Sequence, residues 1–406
     1  MHFALIADAY PPMKTSGAVQ IRDLVAEFLS QGHQVTVMLP DSSLPSAWSL
    51  HQEDNLEILR LRAMKTKDVS YSRRALAEHL LSSSMYRNLC KSPLKDRKWG
   101  GIIWYSPSIF FGGLVAKLKR ASECPSYLIL RDIFPEWAVD MGLLKKGAIY
   151  RYFKGAERRQ YAQADVIGVQ TPSNLAYFEE YHSSVGGRVE VLNNWLSEPN
   201  PEPCSINIAD SPLAGRKIFV YTGNIGIAQG MDILLDLAAV LKNDESIGFM
   251  FVGRGSAVAK MKEKSVRLGL GNILFYDEIR SNEIPSLLKE CHVGLIALDP
   301  RHRYDNIPGK FLAYMQSGLP ILGNINPGND FQTLVEHSRV GQVVSSNSLQ
   351  DLQQAVKVLL EEIENDPDIK TRCRELARSK FSAASAATQV ADALSNESKR
   401  KLFTER

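Results

Sequence analysis

Long apolar runs are missing from this 406-residue chain. Stretches such as 102–104 and 218–220 never approach the roughly 18–20 uninterrupted apolar residues that a membrane-spanning helix needs. The first seven residues, Met-His-Phe-Ala-Leu-Ile-Ala, lack a basic n-region and a small-residue cleavage site before Asp8 and Pro11. They read as a first buried strand rather than a leader. Cysteine is scarce: Cys90, Cys124, Cys204, Cys291 and Cys373 are odd in number, dispersed and free of C-x-x-C spacing. Neither a disulfide framework nor a zinc site is suggested, no metal is expected, and a reducing cytoplasm fits best. Internal repeats and low-complexity tracts are absent. With 44% hydrophobic and 23% charged residues, the composition excludes a disordered or fibrous chain.

A large charge excess of one sign is also lacking, since the formal net charge is +3. The charge is nevertheless unevenly placed. Residues 60–98 hold eleven Lys or Arg against Asp68, Glu78 and Asp96. A second cluster, Lys145, Lys146, Arg151, Lys154, Arg158 and Arg159 with Glu157 as its acid, interleaves with Ile149, Tyr150, Tyr152 and Phe153. At helical spacing Ile149, Tyr150 and Phe153 share a face. Such a segment suits an anionic leaflet, where each Lys or Arg near the headgroups contributes about 1 kcal/mol. The competing reading is a solvated helix whose apolar side packs on its own domain. Nucleic acid is not expected as a partner, because no binding signature accompanies the charge.

The length favours two domains of about 200 residues each. A strand over 3–7, a Pro-Pro and Gly17 loop, a helix over 20–31, a Gly32 stop and a strand over 34–39 make a βαβ unit. Strands follow over 56–61, 101–105, 126–130, 166–170 and 189–192. That rhythm implies a mostly parallel sheet covered on both faces. Around 193–215 the sequence turns irregular, with Pro199, Pro201, Pro203 and Pro212, and reads as a linker. The rhythm then restarts with strands over 218–222, 247–252, 273–276, 293–298 and 320–323 alternating with helices. The expected division is 1–195, a linker over 196–215, a second domain over 216–385, and a helix over 386–406 that packs back on the first domain. Two doubly wound domains would face a central cleft at the C-terminal ends of their strands.

The strongest local signal is Tyr221-Thr222-Gly223-Asn224-Ile225-Gly226-Ile227-Ala228-Gln229-Gly230, a glycine loop between a β-rich run and a helix. Bare backbone and a helix start suit a phosphate. The same glycines also suit an ordinary tight turn. No Lys-Ser/Thr follows, so this is not a P-loop. Phe251-Val252-Gly253-Arg254-Gly255 repeats the pattern at the next strand end.

These segments, together with Arg131-Asp132-Ile133-Phe134-Pro135-Glu136-Trp137, Gly32-His33-Gln34-Val35 and Ile307-Pro308-Gly309-Lys310-Phe311-Leu312, resemble GT-B glycosyltransferases of family 4 in order and spacing. The likeness is closest to a bacterial surface-polysaccharide subgroup that includes L-fucosamine-type transferases. The resemblance implies a retaining, metal-independent enzyme without a cofactor, taking a UDP-linked sugar to a carbohydrate or undecaprenyl-diphosphate-linked acceptor at the inner leaflet. Gly17, Asp132 and Lys310 are its implied catalytic positions. Donor binding would involve Gly223, Asn224, Gly226, Gln229, Gly253, Arg254, Ile279, Asp305, Pro308, Gly309, Lys310 and Phe311.

The chain departs from the family's pattern in several places. Asn224 and Gln229 stand where many relatives carry Arg and Lys, leaving Lys310 as the best cation and Arg254 as the second. Asp305 and Ala313 align with the paired glutamates, and Arg131 replaces a His before Asp132. Base contacts are implied at the backbone of 278–280. Glu136 would lie in the cleft with Asp132, His33 reads as part of a turn, and His302 has no assigned role. Two alternatives stay open, a GT-B UDP-sugar epimerase and a sugar-nucleotide-binding scaffold without turnover.

Overall fold

A computed structural model describes residues 1–13, 15–66, 69–140, 142–181, 186–226, 229–299 and 307–404. The chain divides into two compact units, Met1–Asn193 with Ala383–Arg406 and Asn194–Ser382.

The first unit runs β1 (His2–Ile6), α1 (Ser16–Ser30), β2 (Gln34–Asp41), β3 (Trp48–Glu53), β4 (Leu56–Arg62), α2 (Tyr71–Leu89), β5 (Gly101–Tyr105), α3 (Gly112–Ser122), β6 (Ser126–Ile129), α4 (Glu136–Asp140), α5 (Ala148–Tyr161), β7 (Val166–Val169), α6 (Pro172–Tyr181) and β8 (Arg188–Val191). Its eight-stranded sheet has the order β3-β4-β2-β1-β5-β6-β7-β8. All pairs are parallel except β3 with β4. The antiparallel β3 was not anticipated, because Trp-Ser-Leu-His-Gln-Glu forms a largely exposed edge and lacks a buried strand's apolar run. Strands β1, β5, β6 and β7 are almost wholly buried, as helices on both faces require.

The second unit runs β9 (Lys217–Thr222), α7 (Asp232–Val240), β10 (Ile247–Val252), α8 (Val258–Arg267), β11 (Ile273–Tyr276), α9 (Ile284–Lys289), β12 (Val293–Ala297), α10 (Gly309–Ser317), β13 (Ile321–Asn324), α11 (Asp330–Ser338), β14 (Gly341–Val344), α12 (Leu349–Asn365) and α13 (Ile369–Lys380). Its all-parallel sheet has the order β11-β10-β9-β12-β13-β14. This is the doubly wound order whose switch point lies between the first and fourth strands, here β9 and β12.

The stretch expected as a linker is instead part of the second unit. Ile206, Ile208 and Leu213 are buried in its core, because prolines stop regular structure without preventing apolar side chains from packing. The returning helix also starts earlier than expected: α14 (Ala383–Thr404) belongs to the first unit. Gln31 Nε2 reaches Thr388 Oγ1 at 3.1 Å, Gln389 Nε2 reaches the Val191 carbonyl at 2.9 Å, and Leu394 is fully buried. No helix among the described residues is long and apolar enough to cross a membrane.

Candidate functional site

In the second unit the glycine loop leaves β9 at the switch point and is zipped to the turn after β10. Gly223 N donates to the Val252 carbonyl at 2.9 Å and Ile225 N to the Arg254 carbonyl at 2.8 Å. A Cβ on Gly253 would lie 1.9 Å from the Gly223 carbonyl oxygen, and one on Gly255 2.2 Å from that of Ile225. The glycines of this second turn are therefore required by backbone packing, whatever ligand the turn meets. Asn224 and Gln229 are occupied by the loop itself. Gln229 Oε1 accepts from Gly226 N at 3.0 Å and from Asn224 Nδ2 at 3.3 Å.

Across the switch point, the cation sits one turn ahead of an anchoring tyrosine. Tyr314 is buried, accepts from Thr222 N at 3.1 Å, and lies so close over β12 that a Cβ on Gly294 would fall 2.4 Å from its ring. This fixes α10 against β9 and β12. Pro308 caps α10 without a side-chain hydrogen bond, and the first turn carries no acid. Gly309 has open space around it. Lys310 Nζ lies 2.6 Å from Tyr221 Oη and 3.9 Å from the centroid of the Tyr221 ring. Desolvation pulls its pKa down to about 7. Among the described residues no carboxylate pairs with it. Lys310 Cε stands 4.0 Å from where a Cβ on Gly223 would project. A cation with no carboxylate partner among the described residues thus faces bare loop backbone at a helix start, the combination that receives an anion.

Other expected donor residues fall elsewhere. Phe311 is a core residue: it is fully buried and edge-on to Phe331 and Phe381 at 4.8 and 5.9 Å. Its side chain therefore serves packing, leaving its backbone in the first turn of α10. Ile279 packs against the core, and Arg254 is exposed and paired with Glu278 at 3.0 Å. Ala313 packs on the same core. Asp305 and His302 lie outside the described residues.

In the first unit, Gly17 and Asp132 are brought into one neighbourhood at the C-terminal ends of β1, β5 and β6. A Cβ on Gly17 would lie 3.6 Å from Tyr105 Cε1, an ordinary contact. The fold therefore does not demand glycine there. Tyr105 donates to Gln20 Oε1, and burial raises its pKa to about 12 while Arg131 opposes the shift. Arg131 is buried, with its guanidinium 5.9 Å from the Tyr105 ring and Nη1 donating to the Leu192 carbonyl at 3.0 Å. In place of the family's His it supplies a structural cation. Asp132 is open to solvent on one side. Desolvation by the surrounding protein raises its pKa, with Arg131 partly offsetting this. Arg131 was noted in the sequence as the residue before Asp132, but Tyr105 was not singled out; the aromatic ending β5 was the available signal. His33 sits in its turn against Phe3 and Phe28.

Glu136 belongs to a different cluster. Lys154 reaches Glu136 Oε1 at 2.9 Å and Glu157 Oε2 at 2.5 Å, and Tyr150 donates to Glu136 at 2.9 Å. Desolvation pushes Glu136 up, but the Lys154 and Tyr150 hydrogen bonds outweigh it and the net shift is downward. Lys154, expected to meet lipid, is thus bound inside the unit at 12% exposure. Tyr150 and Phe153 are half-buried too, with Phe153 against Phe134 at 5.0 Å. The exposed apolar residues of this region are Ile149 at 64% and Tyr152 on α5, Leu143 before it, and Leu76 at 51% and Leu80 on α2. His79 Nδ1 meets Tyr152 Oη at 2.9 Å, so α2 and α5 lie side by side.

Residues 216–362 match the family described as Glycosyl transferases group 1. Among curated proteins the chain is similar to "Probable glycosyltransferase WbjE" of Pseudomonas aeruginosa, 26% identical over 221 residues, 53% of this chain and 54% of that one. The chain thus spans about half the length of that relative. It is also similar to "Putative colanic acid biosynthesis glycosyl transferase WcaI" of Escherichia coli (strain K12), 25% identical over 315 residues, 70% of this chain and 74% of that one. Among solved structures, Anabaena HepE in complex with UDP-glucose superposes with a TM-score of 0.64 at 15% identity, covering 97% and 99% of the two chains. The likeness establishes a shared GT-B fold.

Proposed function

We propose that this chain, whose residues 216–362 match the group 1 glycosyltransferase family, is a retaining, metal-independent transferase. It moves a sugar from a UDP-linked donor to a carbohydrate or lipid-linked saccharide during surface-polysaccharide synthesis. The observation that carries this is Lys310, a desolvated cation with no acid partner among the described residues, beside the Gly223 loop and the start of α10. The names of WbjE and WcaI and the UDP-glucose bound by HepE support the class. As the sugar–phosphate bond breaks, negative charge grows on the diphosphate, and a preorganised cation with helix N–H groups favours that charge. Gly17 supplies bare backbone on the acceptor-side unit, and Asp132 orients the acceptor hydroxyl. The bond from the anomeric carbon to phosphate oxygen breaks while the acceptor oxygen bonds to the same carbon on the same face. The acceptor proton passes to the departing phosphate oxygen, so no side-chain base is required.

The acceptor is an undecaprenyl-diphosphate-linked sugar, reached from the α2–α5 surface. Ile149, Tyr152, Leu76 and Leu80 are exposed beside Lys145, Lys146 and Arg151, as an interfacial face requires. Changing these three cations together to Glu should release the protein from vesicles containing phosphatidylglycerol, and undiminished binding would remove the membrane from this reading. The donor assignment is tested by release of UDP and free sugar from a panel of UDP-sugars. Lys310→Ala should abolish release, and Gly17→Ala should slow it at least about tenfold without loss of fold. No UDP from any donor, with acceptor present, would mark a scaffold instead.

A further inference from the structure

The glycine-loop and lysine motifs leave one side chain of the second unit without a role. Tyr221 is fully buried near the end of β9, its ring stacked on Phe251 at 6.1 Å. Its Oη donates to the Asn224 carbonyl at 2.8 Å and accepts from Lys310 Nζ at 2.6 Å, while the same Nζ lies over the ring. A phenol has one donor and two acceptor sites, so both bonds coexist. A single hydroxyl therefore ties the Lys310 cation to the loop whose Gly223 faces it.

Resting on the donor reading above, we propose that Tyr221 is a positioning residue: it parks Lys310 on its ring and hydroxyl, yields Nζ to the incoming diphosphate, and keeps the Asn224 carbonyl and the glycine loop in register throughout. The chemistry is consistent on each side. Burial drives the phenol pKa far above its ordinary value, so Oη remains a donor to Asn224 at every working pH. Lys310, pulled down to about 7 by desolvation, is only partly charged at neutral pH. An ammonium over an aromatic face is held weakly compared with one facing a carboxylate or phosphate. A diphosphate restores the full charge, so donor binding takes up a proton.

Calorimetric titration of UDP from pH 6.5 to 9, in two buffers of different ionisation enthalpy, reads this directly. For the wild type, proton uptake should appear as buffer-dependent heat, and affinity should fall as pH rises above the parked lysine's pKa, by up to about tenfold per pH unit. Tyr221→Phe keeps the ring but removes both hydrogen bonds. It should lower kcat about tenfold with a smaller change in KM, and it should move the fall in UDP affinity to lower pH, because Lys310 loses the acceptor that favours its charged form. An unchanged pH profile accompanied only by a lower melting temperature would reduce Tyr221 to a core aromatic and overturn the proposal. If Tyr221→Phe does not fold, Lys310→Met decides between the two: its UDP affinity should lose the Lys310-linked fall with pH, and a retained fall would overturn the coupling. Failure of wild-type protein to bind UDP at all would instead bring down the donor reading, and this one with it.

Discussion

Each unit holds a half-buried lysine, and the two are set in opposite ways. Lys154 is held between two carboxylates, Glu136 and Glu157, the second fully buried. Lys310 faces a tyrosine ring and, among the described residues, no acid at all. A cation already neutralised by its own unit has no charge to offer a ligand. A cation left open, though only partly charged near neutral pH, can take up a proton and give a ligand its full charge. The contrast separates structure from function more sharply than burial does. The largest effect should follow from breaking the closed pair. Lys154→Met leaves Glu157 buried and uncompensated, and such losses cost about 3–5 kcal/mol. Urea unfolding should show this as a lower midpoint with an unchanged slope, and a variant as stable as wild type would show that the cluster is solvated.

The pH dependence of stability should run in opposite directions around the two lysines. Desolvation raises Glu157 from its ordinary 4.5 to about 7, with Lys154 opposing. The folded state then binds more protons than the unfolded chain between those values, so stability falls as pH rises through that window, by at most about 1.4 kcal/mol per pH unit. Glu157→Gln should flatten this limb. Lys310 is lowered from 10.5 to about 7, so the unfolded chain binds the extra proton and stability rises with pH between those values. Lys310→Met should remove that rise and leave the protein at least as stable near pH 7. It should also weaken UDP binding about 10- to 100-fold, the scale of a lost hydrogen bond to a charged group. Thermal melts at several pH values, with and without UDP, check both. A destabilised Lys310→Met with intact UDP binding would reverse the assignment.

Much of this arrangement was legible in the sequence, and the remainder was hidden for identifiable reasons. Buried parallel strands such as β5, β7 and β10 announce themselves as short apolar runs. The half-exposed edge β3 does not, and the proline-rich segment around 199–212 conceals three core residues, Ile206, Ile208 and Leu213. Lys310 could be singled out because two expected cations were replaced by Asn224 and Gln229. Tyr221, Tyr314 and Tyr105 could not, because each reads as an ordinary aromatic of a strand or helix. Only tertiary placement puts their hydroxyls beside Lys310, β9 and Gly17. Lys154 was misjudged for the same reason: a basic amphipathic helix looks alike in sequence whether its lysine meets lipid or two acids from its own unit.

The smallest expected effect tests which helix start of the second unit receives the anion. The first turn of α10 carries no acid. The first turn of α7, which follows the glycine loop more directly, carries Asp232, paired with Lys260 at 3.2 Å and Lys264 at 3.6 Å. A carboxylate already at a helix N-terminus occupies the favourable potential and repels a second anion. Asp232→Asn should therefore lower stability by only about 0.3–1 kcal/mol, the scale of exposed charge and dipole effects, and, on the proposal that the diphosphate sits at α10, leave UDP affinity within about twofold. If the variant instead bound UDP many times more tightly, α7 would share the site. The asymmetry between the two helix starts would then describe competition for one anion rather than a division of roles.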